Sequence, residues 1–349
     1  LVKPLKSEEW RGEDARVLFS QIEEKLGELL GTQRRIFLFP CGEKEAFEAA
    51  VVNFFSPGDR VLFPIVGEAG ENWAHIAETH GVRAVRLGSE RGRSVTGYDV
   101  ELLLESEKEA IRGVCVSYHD ASFGVCAEVS SFMEVCRRRN ILGVVEALDF
   151  WGVTELYSDP LGIDIFLTLI YPGVSCFVVS PPALSSLERI KALPFSLDLR
   201  QGREILSSSP SLLSQVFSSL EREFAHRVQA LAHARRVTKT LREGIRALGL
   251  ELLVTDERIA SLLVTTVVIP PDIPGRVVLE ALQKQGMPMV SGVKRMADQV
   301  IRVEERYFAC GEDIASFLRI FGEALLSQGA RVDVPAGVNR VWEVWNDGE

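Results

Sequence analysis

Between Glu13 and Leu30, the apolar residues Val17, Ile22, Leu26, Leu29 and Leu30 fall on one stripe at helical spacing, and Gly31 supplies a stop. The rhythm then changes. Short apolar runs alternate with amphipathic stretches. The pattern predicts strands at 36–39, 60–66, 83–87, 111–118 and 141–148, with helices at 43–55, 71–81, 97–109 and 129–140 between them. The runs 163–170 and 174–180 lie too close for a helix to separate them, so they are expected as antiparallel neighbours. Strands that are apolar on both faces and alternate with helices predict an α/β protein with a mostly parallel, helix-covered sheet.

From Ser211 apolar residues recur at helical spacing for some forty residues, as two helices or one long bent one, closed by Gly249. A second unit follows, of β-α-β type with an open sheet. It has strands at 251–254, 261–270, 288–290 and 299–305, and helices at 275–286 and 313–326. The expected organisation is an N-terminal helical segment (1–30), a large α/β domain (31–222), and a linking helix with a small C-terminal α/β domain (223–349). The tail from Arg331 carries Trp342 and Trp345, which are expected to pack either on their own domain or on a partner subunit.

Composition narrows the functional classes. With 349 residues, 46% of them apolar, the chain can build a sizeable core. A formal net charge of -10 argues against a nucleic-acid-binding face. Six cysteines without a C-x-x-C pair, no leader-like apolar segment in LVKPLKSEEWRGEDAR and no membrane-length apolar run give the expectation of a reduced, cytoplasmic protein without membrane contact. His75 and His80, like His226 and His233, lack a third ligand at metal spacing, so no metal site is expected.

In an open parallel sheet, ligands sit beyond the C-terminal ends of the strands. Three such ends carry candidate chemistry. The first opens a helix at Gly42-Glu43-Lys44, where backbone N–H groups and Lys44 suit an anion and Glu43 opposes it. The second is Tyr118-His119-Asp120-Ala121-Ser122, either an acid–base pair in His119 and Asp120 or a polar loop that caps the next element. The third places Glu146 at the end of a buried strand, where a carboxylate needs a partner: a ligand or local N–H groups.

The order of PCGEKEAFEAAVVNFFSPGDRVLF, GVRAVRL, YHDASFGV, ILGVVEALDFWGV and GIDIFLTLI resembles the class V pyridoxal-phosphate aminotransferases, nearest the alanine–glyoxylate and serine–glyoxylate branch. The resemblance covers residues 13–328. It implies a fold-type I large domain, a small C-terminal domain and a homodimer that exchanges amino groups through the cofactor. It also implies roles for single residues. The phosphate cup falls on Gly42-Glu43-Lys44, where the family has Ser-Gly-Thr or Ser-Gly-His, and the helix glutamate falls on Glu48. The ring-stacking aromatic falls on Ala69, with Trp73 one helical turn further on. The ring-face loop falls on Tyr118 to Gly124, keeping Ser122 and Gly124. The partner of the ring nitrogen falls on Glu146, followed by Phe150 in place of a serine. The arginine that clamps the substrate carboxylate falls on Arg302, followed by Glu304.

The Schiff-base lysine falls on Pro172, and no lysine occurs between Lys108 and Lys191. The leading expectation is therefore an aminotransferase-like protein without transaminase activity, whose cofactor is unknown, serving in ligand binding, in regulation or as partner of an active paralogue. The alternatives are an enzyme of altered acid–base chemistry acting on a small carboxylate held by Arg302, with His119 and Asp120 as catalytic groups, and an aminotransferase using Lys44, Lys191 or Lys294.

Overall fold

The computed structural model describes residues 12–148, 156–190, 193–293, 296 and 298–347. Phe150, Lys191 and Lys294 lie outside the described residues. Helix α1 (Gly12–Leu30) precedes the alternating units β1 (Arg35–Phe39), α2 (Glu43–Phe54), β2 (Arg60–Ile65), α3 (Glu68–Thr79), β3 (Arg83–Gly88), α4 (Gly97–Ser106) and β4 (Gly113–Ser117). A small hairpin, β5 (His119–Asp120) and β6 (Val125–Cys126), leads to α5 (Val129–Arg139), β7 (Leu142–Glu146), α6 (Ser158–Leu161), β8 (Ile165–Tyr171), β9 (Val174–Val179), α7 (Pro181–Arg189) and α8 (Gly202–Ser207).

The seven strands order as β1-β9-β8-β7-β4-β2-β3, and β9 alone runs against the others. Residues alternate between two cores. Val114, Val116, Val145 and Phe166 face one side, and Cys115, Val144, Ile165 and Leu167 face the other. This double burial is why the strands read as continuous apolar runs.

Helix α9 (Pro210–Ala247) is a single element of 38 residues rather than two. Leu213, Val216 and Leu220 join the core of the large sheet, while Val237, Leu241 and Ile245 join the C-terminal core. One helix therefore anchors in both domains. The smaller domain continues through β10 (Glu251–Leu252), β11 (Val264–Val268), α10 (Gly275–Lys284), β12 (Val290–Gly292), β13 (Val300–Glu304), α11 (Gly311–Ser327) and α12 (Val334–Asn346). Its sheet, ordered β10-β11-β13-β12, is antiparallel throughout.

Strand β11 starts three residues later than the apolar run predicts. The Ser261 hydroxyl accepts the N–H groups of Leu263 and Val264, which makes a turn of the run's beginning. The tail packs on its own domain: the Arg236 guanidinium lies 4.3 Å from the centroid of the Trp345 ring, and His233 meets that ring edge-on. Among the described residues, no helix is long and apolar enough to cross a membrane.

The C-terminal core holds one acid at a cost. Glu305 is buried and accepts a 2.5 Å hydrogen bond from Thr265 Oγ1, while its Oε2 has no partner. Burial pushes its carboxyl up to about 7, against the opposing pull of Thr265 and Arg242. Between the unfolded and folded values, the folded chain binds the extra proton. Stability therefore falls as pH rises through that window, by roughly 3 kcal/mol in all. Urea melts at pH 5 and pH 8 are expected to show that loss in the wild type and a flatter profile in Glu305→Gln; parallel profiles would contradict it.

Candidate active site

The C-terminal ends of β4 and β7 lie side by side, with Ser117 in register with Glu146. Both side chains stand on the sheet face that carries α2 and α3. Glu146 is 3% exposed, and its Oε2 accepts the Leu148 N–H at 3.1 Å. The Ser117 hydroxyl is buried without a partner.

Asp120 is committed locally. Its Oδ1 accepts the N–H groups of Ser122 (3.0 Å) and Phe123 (3.1 Å), and its Oδ2 accepts that of Ala69 (3.2 Å). Ser122 Oγ accepts the Glu68 N–H at 3.2 Å. Two side chains from the β5–β6 hairpin thus satisfy the first N–H groups of α3, whose own N-cap, Gly67, has no side chain. Position 67 needs glycine: a Cβ there would lie 2.3 Å from Asp120 Oδ1.

His119 is 3% exposed, and its Nε2 lies 2.9 Å from Ser261 Oγ in the C-terminal domain. The same hairpin binds that domain at further points. Thr266 Oγ1 donates to the Phe123 carbonyl (2.9 Å), Ser261 N to the Gly124 carbonyl (2.9 Å) and Cys126 N to the Ile259 carbonyl (2.6 Å). Gly124 holds φ +70°, and a Cβ there would meet the Val264 carbonyl at 2.4 Å.

Arg302, on β13, closes the same side. It donates to the Ala121 carbonyl (2.9 Å), to Ser291 Oγ (2.8 Å) and to Glu304 Oε1 (3.2 Å), so its guanidinium already holds a carboxylate. Glu304 is shared with Arg306 at 2.7 Å. At the start of α2, Gly42 caps the helix without a side-chain hydrogen bond, Glu43 and Glu45 stand in the first turn, and Lys44 is exposed. Behind it the Cys41 carbonyl accepts from Ser175 Oγ, and burial pushes the Cys41 thiol up to about 11. Glu48 pairs with His80 at 2.8 Å. Trp73 is fully buried between Phe47 and Phe63, as part of the core. Strands β8 and β9 are joined by two residues alone, Pro172 and Gly173, both exposed, with Gly173 at φ +79°.

The fold therefore gathers His119, Asp120, Ser122 and Arg302 around one hairpin, beside Glu146, and leaves Lys44 on the surface of α2. Sequence reasoning missed Ser261 and Gly67. Ser261 lies 142 residues from its partner, with no local pattern to mark it. Gly67 went unread because the sequence pattern starts that helix at residue 71, whereas α3 begins at Glu68. Among the described residues, no cluster of His, Cys, Asp and Glu is arranged to hold a metal ion.

The profile of the family described as Aminotransferase class-V matches residues 4–168. The chain is 23% identical over 330 residues to the soluble hydrogenase 42 kDa subunit of Anabaena cylindrica, covering 89% of this chain and 85% of that one. It is 24% identical over 306 residues to the L-aspartate–glyoxylate aminotransferase of Paracoccus denitrificans, covering 82% and 77%. In three dimensions it is similar to the ureidoglycine–glyoxylate aminotransferase of Bacillus subtilis, with a TM-score of 0.83 at 20% identity over 95% of this chain and 90% of that one. Over residues 4–168 the chain is similar to the class V aminotransferases. It has the fold-type I architecture, a large domain around a mostly parallel sheet and a smaller C-terminal α/β domain.

Because Asp120 satisfies three backbone donors, Asp120→Ala is expected to lower the unfolding free energy by roughly 2 to 3 kcal/mol. An unchanged urea midpoint would show that the carboxylate is not the clamp.

Proposed function

We propose that this chain is an aminotransferase-like protein that has lost transamination and uses the retained scaffold to bind a ligand, to regulate, or to serve as a partner subunit. The observation that carries the reading is the two-residue turn at Pro172-Gly173, where the enzymes it resembles place the Schiff-base lysine. Proline has neither a side-chain amine nor an N–H. The nine lysines of the chain leave 109–190 empty.

Pyridoxal phosphate does not fit these residues as a covalent cofactor. The cup that the resemblance implies opens a helix with Glu43 and Glu45 in its first turn, and their charge opposes a dianionic phosphate. The ring platform is Ala69, with Trp73 held in the core. Lys44 is exposed on α2.

The alternative with acid–base chemistry on a small carboxylate finds less support. His119 and Asp120 are spent on hydrogen bonds within the fold, and Arg302 already holds Glu304. A partner-subunit role gains support from a relative whose name is that of a hydrogenase subunit, beside relatives named as aminotransferases. The homodimer and the cytoplasmic setting implied by the sequence remain part of this proposal; six free cysteines, five of them buried, suit a reducing compartment.

Transaminases move the α-proton of an amino acid, and that motion is measurable without knowing the substrate pair. Alanine, serine, aspartate and glutamate in deuterium oxide with added pyridoxal phosphate are expected to exchange their α-protons no faster with this protein than without it, by proton NMR. Protein-dependent exchange of any of them would return the chain to the active aminotransferases.

A further inference from the structure

Ser261 Oγ has two lone pairs and one proton. The lone pairs take the N–H groups of Leu263 (2.9 Å) and Val264 (3.2 Å). The proton has His119 Nε2 as its acceptor at 2.9 Å. His119 must therefore present a bare Nε2 and carry its ring proton on Nδ1. Both residues are buried, His119 at 3% and Ser261 at 0% exposure, so water does not replace the bond if it breaks. Around it, the β5–β6 hairpin and residues 259–266 of the C-terminal domain are joined by backbone bonds and by Thr266 and Arg302.

We propose that the 119–126 hairpin is a strap that holds the C-terminal domain against the ligand end of the large sheet, with the His119–Ser261 hydrogen bond as a latch that opens when the imidazole takes up a proton. Protonation puts a second N–H against a hydroxyl whose lone pairs are both occupied, so donor meets donor. Opening frees residues 259–266 and uncovers the end of the sheet where Ser117 and Glu146 stand.

Among the described residues, the titratable and charged groups around the latch include Asp120 and Cys126 on the hairpin, Glu146 at the end of β7, Arg302 and Glu304 on β13, and Arg242 on α9, which donates to the Ser261 carbonyl. Glu257 pairs with Arg242 at 2.7 Å, and Glu305 lies behind Thr265, to which Arg242 donates at 3.2 Å. Glu305 is a neighbouring carboxyl that burial pushes up to about 7, so it is the control.

The test is backbone hydrogen exchange of the full chain at pH 8 and pH 5.5, corrected for intrinsic rates, with amides of β4 and β7 reporting global unfolding. The wild type and Glu305→Gln are expected to lose protection over 259–266 by at least about tenfold at pH 5.5 while β4 and β7 stay protected. His119→Gln keeps an acceptor at similar reach that takes no proton, and is expected to stay protected at both pH values. Ser261→Ala is expected to exchange fast at both. Equal protection of the wild type at the two pH values would overturn the latch. So would the same pH-dependent loss in His119→Gln; if Ser261→Ala does not fold, that variant decides alone.

Discussion

A turn of two residues constrains the ligand end of this molecule. β9 and β8 lie side by side as the second and third strands of the sheet order, next to the edge strand β1, and β9 is the single antiparallel strand of its sheet. When two such neighbours are joined by Pro172 and Gly173 alone, no loop remains to carry a side chain over the neighbouring strand ends. The turn sits exposed, fixed by proline's φ and by glycine's freedom at +79°. The resemblance to the aminotransferases implies that this connection would carry the reactive amine. Here the strands close on themselves, and the rest of the ligand end is organised by other means.

Those means are the 119–126 hairpin. Asp120 and Ser122 cap α3, Ala121 receives Arg302, Phe123 and Gly124 receive the C-terminal domain, and His119 faces Ser261. Polar groups that read as catalytic candidates in the sequence are used to satisfy the fold. An acid that accepts three backbone N–H groups has its oxygens committed to the backbone and is fixed in place by those contacts. Glu146 and Ser117 remain as the polar pair at the strand ends, on a face otherwise filled by Phe47, Phe63 and Trp73.

The architecture was legible because the physics behind it is local. Alternating apolar runs and amphipathic stretches gave the strands and helices of the large domain, and the short gap after 170 gave the antiparallel pair. The limits were equally physical. Whether 211–247 is one helix or two depends on two cores that pull on it from opposite ends, which no window of sequence contains. The start of β11 was misplaced because a single serine hydroxyl competes with the ladder. The adjacency of His119 and Asp120 suggested a shared role, yet their partners lie in different elements, α3 for one and the C-terminal domain for the other.

The account stands on the Pro172-Gly173 turn, which the resemblance places where a Schiff-base lysine would stand. Its most direct test is the intact mass and peptide map of the purified full-length protein after incubation with pyridoxal phosphate and reduction with borohydride. The account predicts no more reduced adduct than on a denatured control, spread over surface lysines. A single stoichiometric adduct on one mapped lysine, with an absorbance band before reduction, would contradict it.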